Sequence, residues 1–413
     1  MKSANKQFNK IRKTRVKKPS RFLNAIIYVG LKLWLKRRIK YTFTRNVDAI
    51  ETPAIVLCNH GSFVDFAYFA LLLHKDKPRV VTTRQYFYER KLGWLLTHLG
   101  CIPKSMFTTD MESIKSCLQV LKDNGVLVIC PEARLSTAGE FEDIQAGTMS
   151  FLRKMGANAN IYTIKFCGDY LAMPKWARNG NKRYMRKGSV VEAQLDLLFS
   201  KGESVELSLA EFEQKVNSAL YYNEFDWLKE RPELRYPQGN LALGLENVLY
   251  RCPHCNGEFT FTTSGNTITC SSCGYSDTMD DRYRFTSLGG KFENLQQWYH
   301  WQMDLLKEEI DENLDFELRD AVKLYHLSTD GAKQMSLVGI GECVFNRDGL
   351  SYVGTDNGKQ ITKHFPLSSI YRILFGAGAD FEIYEGDEIW YFAPNDGRTC
   401  VKWYMASMIM CGK

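Results

Sequence analysis

An imidazole and a carboxylate stand five positions apart in Asn59-His60-Gly61-Ser62-Phe63-Val64-Asp65, between the apolar runs 54–58 and 66–73. Imidazole titrates near neutral pH, so a His held by a carboxylate can take a proton from a hydroxyl and pass it on. On one continuous helix a spacing of five would turn the two side chains about 140° apart. The pair therefore needs a strand that ends at His60 and a helix that starts at Asp65. Helix capping is the competing reading: Ser62-x-x-Asp65 before an apolar run has the form of a capping box. Capping accounts for Ser62 and Asp65 and leaves Asn59 and His60 without a role. Cys58 is close enough in sequence to be a nucleophile, but a Cys ending an apolar strand is more often a small buried hydrophobe.

The elements that must position the pair follow from hydrophobic periodicity. Strands are predicted at 54–58, 79–83, 126–130, 161–166 and 190–195, and helices near 64–73, 89–98, 110–122 and 146–155. Alternation of this kind predicts a layered α/β domain, whose chemistry sits at the carboxyl ends of its strands. Ser208-x-x-Glu211 starts a further helix through Leu220, and the stretch holding Pro232 and Pro237 reads as a linker.

Three further blocks follow the first in order. They are Leu99-Gly100-Cys101-Ile102-Pro103-Lys104, then Val126-Leu127-Val128-Ile129-Cys130-Pro131-Glu132-Ala133-Arg134-Leu135-Ser136, then Ala159-Asn160-Ile161-Tyr162-Thr163-Ile164-Lys165. With His60 and Asp65 they resemble the glycerolipid acyltransferases, the His-x-x-x-x-Asp family that includes glycerol-phosphate and lysophosphatidic acid acyltransferases. The resemblance covers less than a third of the chain. It departs from the family pattern where Lys104 replaces an Arg, where Ala133 replaces a Gly, and where Arg134 stands one position early.

The resemblance implies an O-acyltransferase of phospholipid synthesis, of the 1-acylglycerol-3-phosphate type. It would move a fatty acyl group from acyl-CoA or acyl carrier protein to a hydroxyl of lysophosphatidic acid or a related lipid acceptor. His60 is the implied general base and Asp65 fixes its tautomer, so no acyl-enzyme is needed. Asn59, Ser62, Lys104, Glu132 and Arg134 are the implied substrate-binding residues, with Lys104 a point charge that lacks the Arg fork. The altered second and third blocks keep an alternative open, a catalytically lapsed relative that serves as a membrane lipid-binding scaffold.

The formal charge of +7 hides an asymmetry: residues 1–47 hold 15 of the 54 Lys and Arg and none of the 47 Asp and Glu, so the rest carries 39 − 47 = −8. The basic arm leads into an apolar stretch at 22–35, closed by Lys36-Arg37-Arg38 and shorter than the roughly 20 residues that span a bilayer. An interfacial segment against an anionic membrane surface is the expectation, which puts the protein on the cytoplasmic side of a membrane as a peripheral or monotopic species. A core helix with a basic tail, a targeting peptide and a nucleic-acid arm are the competing readings.

Cys252-x-x-Cys255 and Cys270-x-x-Cys273, separated by fourteen residues, have the spacing of a Cys₄ zinc ribbon around a hairpin at 260–269. Two disulfides are the alternative, against which the eight other, unpatterned Cys argue. A closed Cys₄ site predicts structural Zn²⁺, and a hairpin without Lys or Arg disfavours nucleic acid. Beyond it, residues 292–324 read as helix. Short strands at 343–345, 350–353, 361–365, 381–384 and 389–392 precede a helix at 399–410 and resemble a pleckstrin-homology-like barrel, a surface for a protein or lipid partner.

The predicted fold class is thus α/β: a layered acyltransferase-like domain, a small zinc ribbon and a C-terminal mainly β domain. The expected boundaries are an arm and interfacial segment at 1–47, the acyltransferase domain at 48–230 and a linker at 231–247. The ribbon follows at 248–280, then a helical connector at 281–330 and the β-rich domain at 331–413.

Overall fold

The computed structural model describes residues 16–108, 110–179, 182–236, 239–287, 290–328, 334–386 and 388–412. Residues 1–15 of the basic arm lie outside them. In chain order the first half contains α1 (Arg21–Lys36), β1 (Lys40–Arg45), β2 (Ala54–Cys58), α2 (Asp65–Leu72), β3 (Arg79–Thr83), α3 (Arg90–His98) and β4 (Ile102–Lys104). It continues with α4 (Met111–Lys122), β5 (Val126–Ile129), α5 (Ala146–Met155), β6 (Asn160–Cys167) and α6 (Asp169–Ala172). A two-residue ladder of β7 (Arg178–Asn179) and β8 (Lys182–Arg183), then β9 (Val190–Phe199), α7 (Glu203–Glu206), α8 (Leu209–Leu220) and α9 (Glu224–Lys229) complete it.

These strands form one sheet in the order β1-β9-β6-β2-β5-β3-β4. Every neighbouring pair is parallel except β6 with β9. The five residues of β2 are all buried, as an apolar central strand covered on both faces should be. Its side chains alternate between two cores. Ala54, Val56 and Cys58 pack with α2 and with Tyr28, Leu31 and Trp34 of α1. Ile55 and Leu57 pack with α4, α5 and α8. The predicted box at Ser208 and Glu211 forms in full at the start of α8.

The sheet reaches into the segment that charge alone set apart as an arm, because β1 pairs with β9 from Lys40 to Arg45. That strand is short, charged and half exposed along its length, which hides it from a periodicity reading. The stretch 231–247 is likewise not a free linker: Leu241, Ala242 and Leu245 are fully buried in the C-terminal core.

The second half contains the hairpin β10 (Phe261–Ser264) and β11 (Thr267–Cys270), β12 (Ser276–Thr278) and the long helix α10 (Leu295–Glu312). It then runs through β13 (Leu318–Leu327), β14 (Met335–Asn346), β15 (Gly349–Asp356), β16 (Lys359–Pro366), β17 (Leu374–Gly376), β18 (Asp380–Glu385), β19 (Glu388–Pro394) and α11 (Cys400–Cys411). The predicted helix at 292–324 stops at Glu312, where Asn313 takes an extended conformation, and 318–327 is a strand. Leu318, Val322 and Leu324 face the core from β13, and the charged Arg319, Asp320 and Lys323 between them disguise the change of period. The C-terminal strands order as β16-β15-β14-β13-β19-β18-β17 in a mainly β region. Hairpin, α10, the C-terminal strands and α11 share one continuous apolar core, which also takes in Tyr170, Trp176 and Phe225 from the first half.

Candidate active site

Three adjacent strands deliver the site from their carboxyl ends: β2 leads into Asn59 and His60, β5 into Glu132, and β6 into Asp169. His60 Nδ1 lies 2.8 Å from Asp65 Oδ2, and the ring keeps 29% of its side-chain exposure while Asp65 keeps 1%. One edge of the imidazole is fixed and the other is reachable. The turn between them also bonds as a cap would, since Ser62 N–H donates to Asp65 Oδ2 at 3.2 Å. The full capping box does not form, because Val64 takes the cap position of α2 without a side-chain bond.

The third block holds the first by its backbone. Glu132 Oε1 accepts His60 N–H at 3.0 Å, and Ser136 N–H donates to the His60 carbonyl at 3.0 Å. Glu132 Oε2 accepts Glu142 N–H at 2.8 Å. Burial, together with the neighbouring Glu142 carboxylate, pushes Glu132 up to about 8. Asn59 is engaged in the same way, donating to Phe166 O at 2.9 Å and accepting from Phe166 N at 2.7 Å. Ser62 Oγ donates to Met173 O at 3.3 Å.

Lys104 and Arg134, chosen from the sequence as cations for an anionic acceptor, both meet protein groups. Lys104 lies on the edge strand β4, three strands from β2, and its ammonium donates to Ser105 O at 3.2 Å and Thr108 O at 3.5 Å. Arg134 is buried, ion-paired to Glu142, and donates to Glu132 O at 3.3 Å.

Two cations that no motif announced stand closer to the dyad. Arg183 stacks its guanidinium 3.3 Å from the ring centroid of Phe63, inside the His60–Asp65 turn. Lys175 is buried, with its ammonium 3.7 Å from the centroid of Phe375. Burial lowers Lys175 to about 7. Burial first, and then the charge of Lys175, pushes His60 down to about 4. A base must be neutral to work, so protonation below its pKa stops it. The acid limb of kcat/KM is therefore expected well below the ordinary imidazole value, toward about 4, in a rate profile measured on purified protein.

The C-terminal region closes on the same place. Tyr404 of α11 donates to Glu142 Oε2 at 2.7 Å, and Arg372 lies 4.0 Å from that oxygen. A chain of bonds thus runs from α11 through Glu142 and Glu132 to the backbone of His60. Burial opposes a charge on Glu142, but Arg134 and the bond from Tyr404 outweigh it and hold the carboxyl below its usual value.

Residues 38–166 match the Acyltransferase family. The match includes His60, Asp65, Glu132 and Arg134 and ends before the Cys-rich hairpin. The acyltransferase-type segment expected from the four blocks is thereby met. The chain is 24% identical over 185 residues to the chloroplastic 1-acyl-sn-glycerol-3-phosphate acyltransferase LPAT1 of Arabidopsis thaliana, covering 42% of this chain and 51% of the relative. It spans about half the length of that curated relative. The crystal structure of the 1-acyl-sn-glycerophosphate acyltransferase PlsC from Thermotoga maritima aligns with a TM-score of 0.35 and 16% identity, over 47% of this chain and 76% of that one.

Away from the acyltransferase-type segment, the sulfurs of Cys252, Cys255, Cys270 and Cys273 all lie within 4.8 Å of one another. Cys252 and Cys273 are 3.7 Å apart and Cys255 and Cys270 are 3.8 Å apart. Ligands at zinc–sulfur length on a tetrahedron stand about 3.8 Å apart. Backbone N–H groups of His254 and Cys255 point at Cys252, and those of Ser272 and Cys273 at Cys270. The four thiols fit a closed tetrahedral metal with no open position.

Proposed function

We propose that the protein is an O-acyltransferase that moves an acyl group from a thioester donor to the hydroxyl of lysophosphatidic acid or a close relative. The observation that carries this reading is the 2.8 Å bond from His60 Nδ1 to Asp65 at the carboxyl end of the central strand. Family match and relative support it from outside the site. Donation of Nδ1–H to Asp65 leaves the Nε2 lone pair facing the open side. There it takes the proton of the acceptor hydroxyl as oxygen attacks the thioester carbonyl. The C–S bond breaks, and the imidazolium returns that proton to the leaving thiolate. Lys175, whose charge reaches His60, and Arg183, stacked on Phe63 inside the dyad turn, are the cations best placed to meet an acceptor phosphate. The decisive assay follows thioester-dependent acylation of lysophosphatidic acid, glycerol phosphate and a zwitterionic lysolipid, with His60→Ala as control. No turnover with any of them overturns the reading.

In the same reading the protein works at the cytoplasmic surface of a membrane, as a peripheral or monotopic species. Among the described residues no helix is long and apolar enough to cross a membrane. Instead, α1 buries Leu35 and packs Tyr28, Leu31 and Trp34 inward, while Phe22, Ile26, Val29 and Leu33 on the opposite face are each more than half exposed. Arg21, Lys32, Lys36 and Arg37 flank that stripe, an arrangement suited to anionic lipid. Phe22→Ser with Val29→Ser is expected to weaken binding to phosphatidylglycerol-containing vesicles roughly tenfold or more, by cosedimentation. Unchanged binding removes α1 as the contact.

The ribbon cysteines would hold zinc, which when bound supplies a structural cross-link and no chemistry at His60. The C-terminal strand order, a four-strand meander followed by a three-strand meander and a closing helix, supports the pleckstrin-homology-like reading. Its role here is to clamp the site through Tyr404.

A further inference from the structure

Behind the dyad lie two more buried carboxyls that no motif contains. Asp65, Asp169 and Glu224 are exposed by 1% or less. Asp65 Oδ1, both carboxyl oxygens of Asp169 and Glu224 Oε1 have no donor at hydrogen-bonding geometry, although the backbone N–H of Tyr170 lies close enough to Asp169 to favour its charge. The remaining oxygens are supplied: Asp65 Oδ2 faces His60 and Ser62 N–H, and Glu224 Oε2 accepts Gly168 N–H at 2.7 Å. Asp169 sits directly under the dyad turn, for a Cβ on Gly61 would stand 2.5 Å from Asp169 Oδ2. Gly168, with φ +80°, makes the turn that aims Asp169 inward.

Four buried acceptor oxygens without a donor are costly, and more so if charged. The titratable groups facing them are Cys58, Tyr68, Cys130, Cys167, Tyr170, Tyr222, Tyr236 and Tyr283, besides His60, and none of the eight is a cation. Arg186 and Arg231, packed around those tyrosines and thiols, bond instead to Leu241 O at 2.8 Å and Glu192 at 2.8 Å. The hydroxyls of Tyr68, Tyr222 and Tyr236 make no hydrogen bond to these oxygens, and those of Tyr170 and Tyr283 donate to Thr137 O and Leu171 O, so the donors left are protons on the carboxyls themselves. Two protons shared as O–H···O bonds pair all four oxygens and leave one negative charge among three groups.

We propose that Glu224, Asp169 and Asp65 form a proton-filled carboxyl chain, in which Glu224 donates to Asp169, Asp169 donates to Asp65, and Asp65 alone carries the charge that faces His60. Asp169 and Glu224 are then positioning residues: they keep Asp65 an acceptor toward Nδ1–H in a site too buried to leave it bare. Burial raises all three carboxyls, and the bond from Asp169 works to lower Asp65 while the bond to Asp65 works to raise Asp169. Glu224, last in the chain, is raised by its bond to Asp169 in turn.

This inference deepens the proposed reaction and rests on that reading only for its kinetic arm. Infrared spectra of the full chain at pH 7 test it without any turnover. Asp169→Asn and Glu224→Gln can each donate through the amide and leave the other of the two acids protonated, so each is expected to remove one protonated-carboxyl band and to melt like the parent. A band-free spectrum of the parent chain, or no band lost in either variant, overturns the chain. Should one amide variant fail to fold, the other still carries the comparison. In the kinetic arm, Asp169→Asn is expected to retain turnover within about tenfold, whereas Asp169→Ala leaves Asp65 without its donor. Loss of a donor to the charged form raises a carboxyl pKa, so the acid limb of kcat/KM moves upward in Asp169→Ala. Equal profiles for the Asn and Ala variants overturn the positioning role.

Discussion

Replacing His60 with alanine lowers thioester-dependent acyl transfer by roughly 10²- to 10⁴-fold, the range lost when a positioned base is removed. The same change leaves the fold nearly untouched. The ring keeps 29% of its side-chain exposure, so little apolar contact is lost. Both hydrogen bonds that hold the turn come from the His60 backbone, to Glu132 and Ser136, and survive in alanine. Asp65 Oδ2 still accepts Ser62 N–H. An unfolding free energy within about 1 kcal/mol of the parent, measured beside turnover on one preparation, separates lost chemistry from lost structure. Full activity in the variant removes His60 from the mechanism.

Stripping metal from the Cys252, Cys255, Cys270 and Cys273 cluster is expected to unfold the second half of the chain and, through it, to silence the distant site. Structural zinc contributes about 10–16 kcal/mol in small finger peptides, comparable to the whole stability of a typical domain at about 5–15 kcal/mol. Cys252 and Cys270 lie in the same apolar core as Trp298, Trp403 and Tyr404. Lys402 of α11 also bonds Glu258 in the ribbon at 2.8 Å. Once that core loosens, Tyr404 releases Glu142, and Glu142 in turn supports Glu132 beneath His60. The expected result is one zinc per chain in the native protein, early proteolysis of the region beyond residue 250 after chelation, and a parallel fall in turnover. Less than about half a zinc per chain in the native preparation contradicts the site. Chelated protein that resists proteolysis and turns over normally contradicts the clamp.

The parts of the site that could be read in advance are those whose geometry is local. His60 and Asp65 are joined by one turn, and residue types with apolar flanks suffice to place a strand before it and a helix after it. The Cys pairs are as legible, because a knuckle two residues wide needs only its own backbone. Lys104 shows where such reading stops, since its charge was visible but not the carbonyls of Ser105 and Thr108 that take it. Strand β1 was hidden by its own charges at a sheet edge, and β13 by charges of both signs that made a period of two resemble a period of four.

Residue types and short spacings by themselves determined the reaction chemistry on offer, the α/β alternation and the set of four thiols that could hold a metal, because each depends on neighbours within a turn or two. Tertiary structure alone decided what surrounds that chemistry. Tyr404 reaches Glu142 across 262 positions, and Glu224 comes to lie by Gly168 across 56. Whether a carboxyl holds a charge or a proton depends on burial and on donors brought from such distances, and no local pattern encodes either.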